Sequence, residues 1–174
     1  LFRSQERIFD NSLQHLETEL NKSLERLGVD YVDLFYIHRR DPRFPIEDVM
    51  ETLLKFKKDG KIGGIGFSEI SPSSLRRASE VGLVDAVQSE YSLWTRSAEL
   101  GLIQTCQELG VSFIPFSPLG RGIFSTPPPD PSTFGELDFR KNNPRFLQPN
   151  FNQNMNLLEP FKQFCADLSV APST

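Results

Sequence analysis

Regular alternation between helical and extended hydrophobic patterns limits what this chain can fold into more than any other feature. Leu13, Leu16, Leu20, Leu24 and Leu27 recur at helical spacing, with Asn11 as the expected cap and Gly28 as the stop. Tyr31-Val32-Asp33-Leu34-Phe35-Tyr36-Ile37 then reads as a strand, with His38 at its far end. A second helix opens at Pro45. Glu47 and Asp48 in its first turn and Lys55, Lys57 and Lys58 in its last match the macrodipole, while Val49, Met50, Leu53 and Leu54 form its inner face. After Gly60 a glycine-bearing strand, Ile62 to Phe67, ends at Ser68, and its glycines suggest a close backbone approach.

The pattern repeats twice more. Ser71-Pro72 is a cap followed by a first-turn proline, opening a helix that turns Leu75, Ala78 and Val81 inward and closes at Gly82. A short strand from Val84 to Val87 ends at Gln88. A helix expected over Ala98 to Leu109, capped by Ser97, leads into the strand Val111 to Phe116, which ends at Ser117. Pro115 lacks an N–H, so pairing is expected to fail there. Residues 119–156, rich in Gly, Pro and Asn, read as one long loop. A final helix carries Leu157, Leu158, Phe161, Phe164, Cys165 and Leu168 on one side.

Strands rich in Val, Ile and Phe that alternate with helices predict an α/β fold with a parallel sheet and right-handed crossovers. This pattern alone does not separate an open doubly wound sheet from a closed barrel. The glycine fingerprint of a dinucleotide fold is incomplete, since Gly64-Ile65-Gly66 has no third glycine at the required spacing. With 19 basic against 23 acidic residues and a net charge of −4, the chain lacks the excess of positive charge that strong nucleic-acid binding needs. No apolar run reaches the ~18 residues of a membrane span, so neither a nucleic-acid nor a membrane partner is expected. Cys106 and Cys165 lack the spacing of a disulfide framework or a metal site and suit a reducing, cytoplasmic setting.

Each expected strand ends in a group with chemical use: His38, Ser68, Gln88 and Phe116-Ser117. In parallel α/β folds all strand C-termini open on one face, where sites are built. An imidazole there can polarise a carbonyl. A hydroxyl and an amide can pair with a carboxamide, and a ring can stack on a flat heterocycle. The turn Leu119-Gly120-Arg121-Gly122 offers backbone N–H groups and a guanidinium as a pyrophosphate seat. Each residue also has an ordinary reading. A lone histidine after a strand is more often structural, Ser68 and Gln88 can satisfy loop backbone, Phe116 can be core, and Arg121 can be an exposed loop charge. Tyr31 and Tyr36 read as packing residues, and both cysteines as inert core thiols.

The blocks acquire more meaning together. Leu24-Glu25-Arg26-Leu27-Gly28-Val29-Asp30-Tyr31-Val32-Asp33-Leu34-Phe35-Tyr36-Ile37-His38 resembles the segment that carries the active-site histidine of aldo-keto reductases. Ile65-Gly66-Phe67-Ser68-Glu69, Val87-Gln88-Ser89-Glu90-Tyr91 and Phe116-Ser117-Pro118-Leu119-Gly120-Arg121-Gly122 resemble three further blocks of that family, in the same order. His38-Arg39-Arg40-Asp41-Pro42 and Tyr91-Ser92-Leu93-Trp94-Thr95-Arg96 are most similar to a subgroup with pyridoxal and perakine reductase-like enzymes.

The resemblance implies a parallel (β/α)8 TIM-type barrel that reduces aldehydes or ketones with NADPH. It implies that residues 1–174 are the central part of a single barrel domain, covering strands four to seven. His38 would then be catalytic, orienting and polarising the substrate carbonyl. Ser68, Glu69 and Gln88 would hold the nicotinamide carboxamide, with Glu69 in place of the family's commoner asparagine. Phe116 would stack on the nicotinamide, and Ser117, Pro118, Leu119, Gly120, Arg121 and Gly122 would lie against the pyrophosphate. The family's Tyr, Asp and Lys are expected upstream of this sequence and its adenosine-phosphate segment downstream. The chain is therefore expected to be a fragment that is inactive alone and prone to self-association through open strand edges. Two alternatives stay open: a non-catalytic, cofactor-binding regulatory subunit of the same family, and an unrelated barrel that grips a phosphorylated metabolite. The substrate itself is not legible, and the loop 123–156 is the expected source of specificity.

Overall fold

The structure is a computed structural model that describes residues 9–174, so the first eight residues of the expected domain lie outside the described residues. The chain divides at Pro118 into two units. In the first, α1 (Leu13–Leu27), α2 (Ile46–Lys58), α3 (Pro72–Val81) and α4 (Leu102–Leu109) alternate with β1 (Val32–Ile37), β2 (Ile62–Ser68), β3 (Ala86–Glu90) and β4 (Ser112–Phe116). All three strand pairings are parallel, in the order β1-β2-β3-β4.

Sequential order without a reversal resolves what the sequence pattern left open. A doubly wound sheet reverses its strand order, whereas crossovers of one hand between successive neighbours place every helix on the same face. That is barrel-type winding. Ile37, Phe67 and Val87, which are partners in register, join Leu20, Leu24, Met50, Leu53, Phe56, Leu75 and Cys106 in the core on the helical side. The opposite face carries Leu34, Tyr36, Gly64, Gly66, Ser68, Ala86, Gln88, Ile114 and Phe116 by alternation.

Several local expectations need correction. Ser12, not Asn11, caps α1, its Oγ accepting from the His15 N–H at 3.3 Å. Asn11 lies one residue outside the cap and is buried for another purpose, described below. Leu13 and Leu27 at the ends of the α1 stripe are exposed, because the neighbouring layer reaches only Leu16, Leu20 and Leu24. In α2, Phe56 takes the core position and Leu54 is half-buried, lying against Gly82. The expected helix from Ala98 is two pieces, a 3₁₀ turn over Ser97–Glu99 and then α4, broken at Gly101 with φ 123°. Pro115 does not end the pairing. Tyr91 N–H donates to Phe116 C=O at 3.2 Å, so alternation points the backbone of Pro115 away from β3, where edge-strand β4 needs no donor.

The glycines of β2 admit mainly side chains, with the expected backbone approach at Gly63, where a Cβ would lie 2.9 Å from the Asp33 C=O. A Cβ on Gly66 would sit 2.5 Å from two ring carbons of Tyr36, its register partner, and one on Gly63 would collide with the Tyr31 hydroxyl. Both tyrosines thus pack on β2.

The second unit, Leu119–Thr174, contains four short 3₁₀ turns and α5 (Asn150–Asp167), which begins inside the expected loop. Its own small core holds Ile123, Phe124, Phe146 and Cys165. Phe146 meets Phe134 edge-on and stacks with Phe151, and Phe124 meets Phe161 edge-on. Leu157, Phe164 and Leu168 are exposed, so the inner stripe of α5 is Leu158, Phe161 and Cys165 and not the full set expected.

Candidate active site

Because every strand of the first unit runs the same way, one edge of the sheet receives all four C-terminal ends. Ile37 pairs with Phe67, so His38 follows in step with Ser68, and Ser68 pairs with Gln88. His38, Ser68 and Gln88 therefore form a row across three strands, with Phe116 one pleat further along β4 on the same face. Gln88 differs from expectation in one respect. It lies inside β3, because the strand begins at Ala86 rather than Val84 and runs on to Glu90.

Ser68 is 7% exposed, and its hydroxyl accepts from Arg39 Nη1 at 3.0 Å. Its own proton is uncommitted among the described residues. The Gln88 amide likewise makes no hydrogen bond among the described residues. A buried hydroxyl proton beside an open amide donor and acceptor fits a carboxamide. Phe116 is half-buried, and its ring stacks on no other ring among the described residues. These groups fit the nicotinamide end of an NAD(P) cofactor.

Glu69 and Ser117 each follow a strand end and adopt left-handed backbone, with φ of 54° and 52°. Non-glycine residues there cost of order 1 kcal/mol and concentrate at functional turns. The Glu69 carboxylate has a structural role, accepting the Glu90 N–H at 2.8 Å, while the Glu69 N–H donates to Gln88 C=O at 2.9 Å. Glu69 thereby ties the end of β2 to that of β3. Within the second unit, the turn at Leu119 is less open than expected. Gly122 N–H donates to Leu119 C=O at 3.0 Å, so this N–H is not offered outward. Arg121, itself at φ 60°, places its guanidinium 5.2 Å from the Phe139 ring centre, and its C=O accepts from Arg140.

Sequence reasoning missed the tether behind His38. Asn11 Oδ1 accepts the buried Asp41 N–H at 2.7 Å, and Asn11 Nδ2 donates to Arg39 C=O at 3.2 Å. Asp41, only 2% exposed, accepts from the Arg43 backbone N–H and from its guanidinium Nε and Nη2. That guanidinium holds the Asp41 carboxyl below the usual carboxylate range. The side-chain-to-backbone bond two residues on is an Asx turn, a signal present in Asp41-Pro42-Arg43. The loop bearing His38 and Arg39 is thus pinned to the start of α1.

Tyr36 and Tyr91 are not poised acids. Burial raises the Tyr36 phenol above its usual range, and its hydroxyl is buried without a partner among the described residues. Tyr91 donates to Glu99 at 2.9 Å, a bond to the carboxylate that raises its phenol too. Burial also pushes the Cys106 thiol up, as an inert core position requires. Among the described residues no three His, Cys, Asp or Glu side chains cluster as metal ligands, and no helix is long and apolar enough to cross a membrane.

Comparison with known proteins decides the family. The model of the aldo/keto reductase family matches residues 2–174. The chain belongs to that family. Its structure is similar to the glycerol dehydrogenase AKR11B4 from Gluconobacter oxydans, with a TM-score of 0.84 at 25% identity, covering 99% of this chain and 54% of the other. The aldo-keto reductase AKR11C1 from Bacillus halodurans, in its holo form, aligns at 29% identity and a TM-score of 0.63 over 75% of this chain and 44% of its own. A thermostable aldo-keto reductase, Tm1743, solved with the inhibitor epalrestat, aligns at 32% identity and a TM-score of 0.60 over 62% of this chain and 40% of its own. The chain thus spans about half the length, or less, of these solved structures (54%, 44% and 40%).

Proposed function

We propose that this chain is the central part of one aldo-keto reductase barrel, strands four to seven, of an enzyme that reduces aldehydes or ketones with NADPH. The observation that carries the reading is the row His38, Ser68, Gln88 at the common C-terminal edge of a parallel sheet. Ser68 and Gln88 hold the carboxamide of the cofactor, with the Ser68 proton donated and the Gln88 amide supplying the complementary donor and acceptor. Glu69 fixes the strand ends that carry both. Phe116 lies against the flat ring. Ser117, Pro118, Leu119, Gly120, Arg121 and Gly122 are assigned to the phosphates on the strength of the sequence match alone.

When bound, a reduced nicotinamide supplies a hydride to the carbonyl carbon. His38 donates an imidazole N–H to the carbonyl oxygen and stabilises the negative charge that grows there. The alkoxide still needs a proton. None of the three tyrosines in this sequence fills that role: Tyr31 packs over Gly63, Tyr36 is buried on Gly66, and Tyr91 is bound to Glu99. We therefore assign the acid to a residue other than these and expect these 174 residues alone to bind cofactor but turn over poorly. Loss of one catalytic partner commonly costs orders of magnitude. The unpaired cysteines fit a cytoplasmic setting.

Loss of NADPH absorbance with an aromatic aldehyde tests the assignment. The isolated chain should show cofactor binding with turnover far below the ~1 s⁻¹ at which ordinary enzyme rates begin. Ordinary rates would show that the acid is misassigned. No NADPH binding at all would remove the reductase reading.

A further inference from the structure

We propose that Arg39 is a specificity-determining residue that selects carbonyl substrates carrying an anionic oxygen group, a carboxylate or a phosphate; this rests on the reductase reading of the same site. Arg39 follows His38 directly and touches Ser68, so it stands within the row assigned to substrate and cofactor. Both hydrogen bonds of its side chain among the described residues come from Nη1, to His38 C=O and to Ser68 Oγ, and both acceptors are neutral. A guanidinium has five N–H donors, and the Nε and Nη2 edge of Arg39 is uncommitted among the described residues. That edge is the fork that takes a carboxylate or phosphate through two parallel hydrogen bonds.

The nearby carboxylates are already in use. Asp10 accepts the Ser12 N–H, Glu19 pairs with Lys22, Asp41 is held by Arg43, and Glu69 accepts the Glu90 N–H. Four other arginines of this unit have acidic partners, Arg43 with Asp41, Arg76 with Glu108, Arg77 with Glu47 and Arg96 with Glu99, while Arg26 and Arg40 bond only neutral oxygens away from the His38 row. Arg39 has none among the described residues, although it is partly buried. A half-buried cation with neutral partners is costly unless an anion completes it. Its place beside His38 sets where that anion would sit, on the substrate whose carbonyl His38 polarises.

The test uses the full chain with NADPH and three aldehydes of similar shape: 4-carboxybenzaldehyde, 4-formylphenyl phosphate and the neutral 4-methylbenzaldehyde. Calorimetry should show at least one anionic aldehyde binding about tenfold tighter than the neutral one, the lower end for a bond to a charged group. The two anionic arms tell carboxylate from phosphate. Arg39→Met should abolish that preference, and Arg39→Lys should keep part of it. In case Arg39→Met does not fold, the wild-type Arg39 Nε–H resonance gives a second readout, which the preferred anionic aldehyde should move and the neutral one should not. Equal binding of all three aldehydes, with shifts at His38 but none at the Arg39 Nε–H, would overturn the role of Arg39 and leave the reductase reading intact. No binding of any aldehyde would overturn both.

Discussion

Replacing Asn11 by alanine removes the tether that holds the His38 loop to the start of α1. The Asp41 N–H, buried and bonded to Asn11 Oδ1 at 2.7 Å, loses its acceptor, and Arg39 C=O loses a donor at 3.2 Å. A buried donor left unsatisfied costs about 1–3 kcal/mol and an ordinary net hydrogen bond about 1 kcal/mol, so the sum is about 2–4 kcal/mol. For a chain of this size that corresponds to a fall in melting temperature of roughly 4–16 °C. Urea unfolding followed by circular dichroism reads the first quantity and thermal melting the second. Ser12→Ala is the control. It removes the helix cap, at a cost of about 1 kcal/mol, and leaves the tether intact. Amide resonances of His38 and Arg39 should move in Asn11→Ala and stay in place in Ser12→Ala. A loss under 0.5 kcal/mol in Asn11→Ala, or equal shifts at His38 in both variants, would refute the tether.

Two further outcomes follow from the packing and the charges. Gly66→Ala drives a Cβ to 2.5 Å from the Tyr36 ring and should cost about 1–3 kcal/mol in urea unfolding; in a Tyr36→Ala background that cost should largely vanish, and a double-mutant cycle showing no coupling would contradict the packing. Arg43 depresses the Asp41 carboxyl in the folded state, so its stabilisation is present above the ordinary value of 3.8 and is lost as pH falls through the lower folded value; Asp41→Asn should be less stable than wild type at neutral pH, and the gap should close below about pH 4, whereas a gap independent of pH would show that the ion pair is not its source.

Much of this architecture was legible in the sequence because periodicity and punctuation agree. Ser71-Pro72 marked the start of α3, and the leucine spacing marked α1, where local propensity and tertiary packing act together. Errors arose where tertiary demand chose between equivalent local options. Asn11 and Ser12 are both good caps, and the need of Asp41 for an acceptor diverted Asn11. Pro115 looked like a strand breaker, but on an edge strand only the side facing the neighbour needs donors. In α5, helical spacing alone did not tell the stripe that meets a partner from Leu157, Phe164 and Leu168, which do not. The candidate site was legible as residue types at strand ends, His38, Ser68, Gln88 and Phe116, but not in its supports. Arg39 on Ser68, Glu69 on Glu90 and Asn11 on Asp41 are contacts between residues 20 or more positions apart, which no local pattern encodes.

The most direct test of the account is an amide chemical-shift titration of this chain with NADPH, in which one ligand reports on several strand ends at once. The account predicts saturable shifts that concentrate at His38, Ser68, Glu69, Gln88 and Phe116, with Ser68→Ala and Gln88→Ala each weakening binding. Saturable binding that moves none of these residues, or that survives both substitutions unchanged, would contradict it.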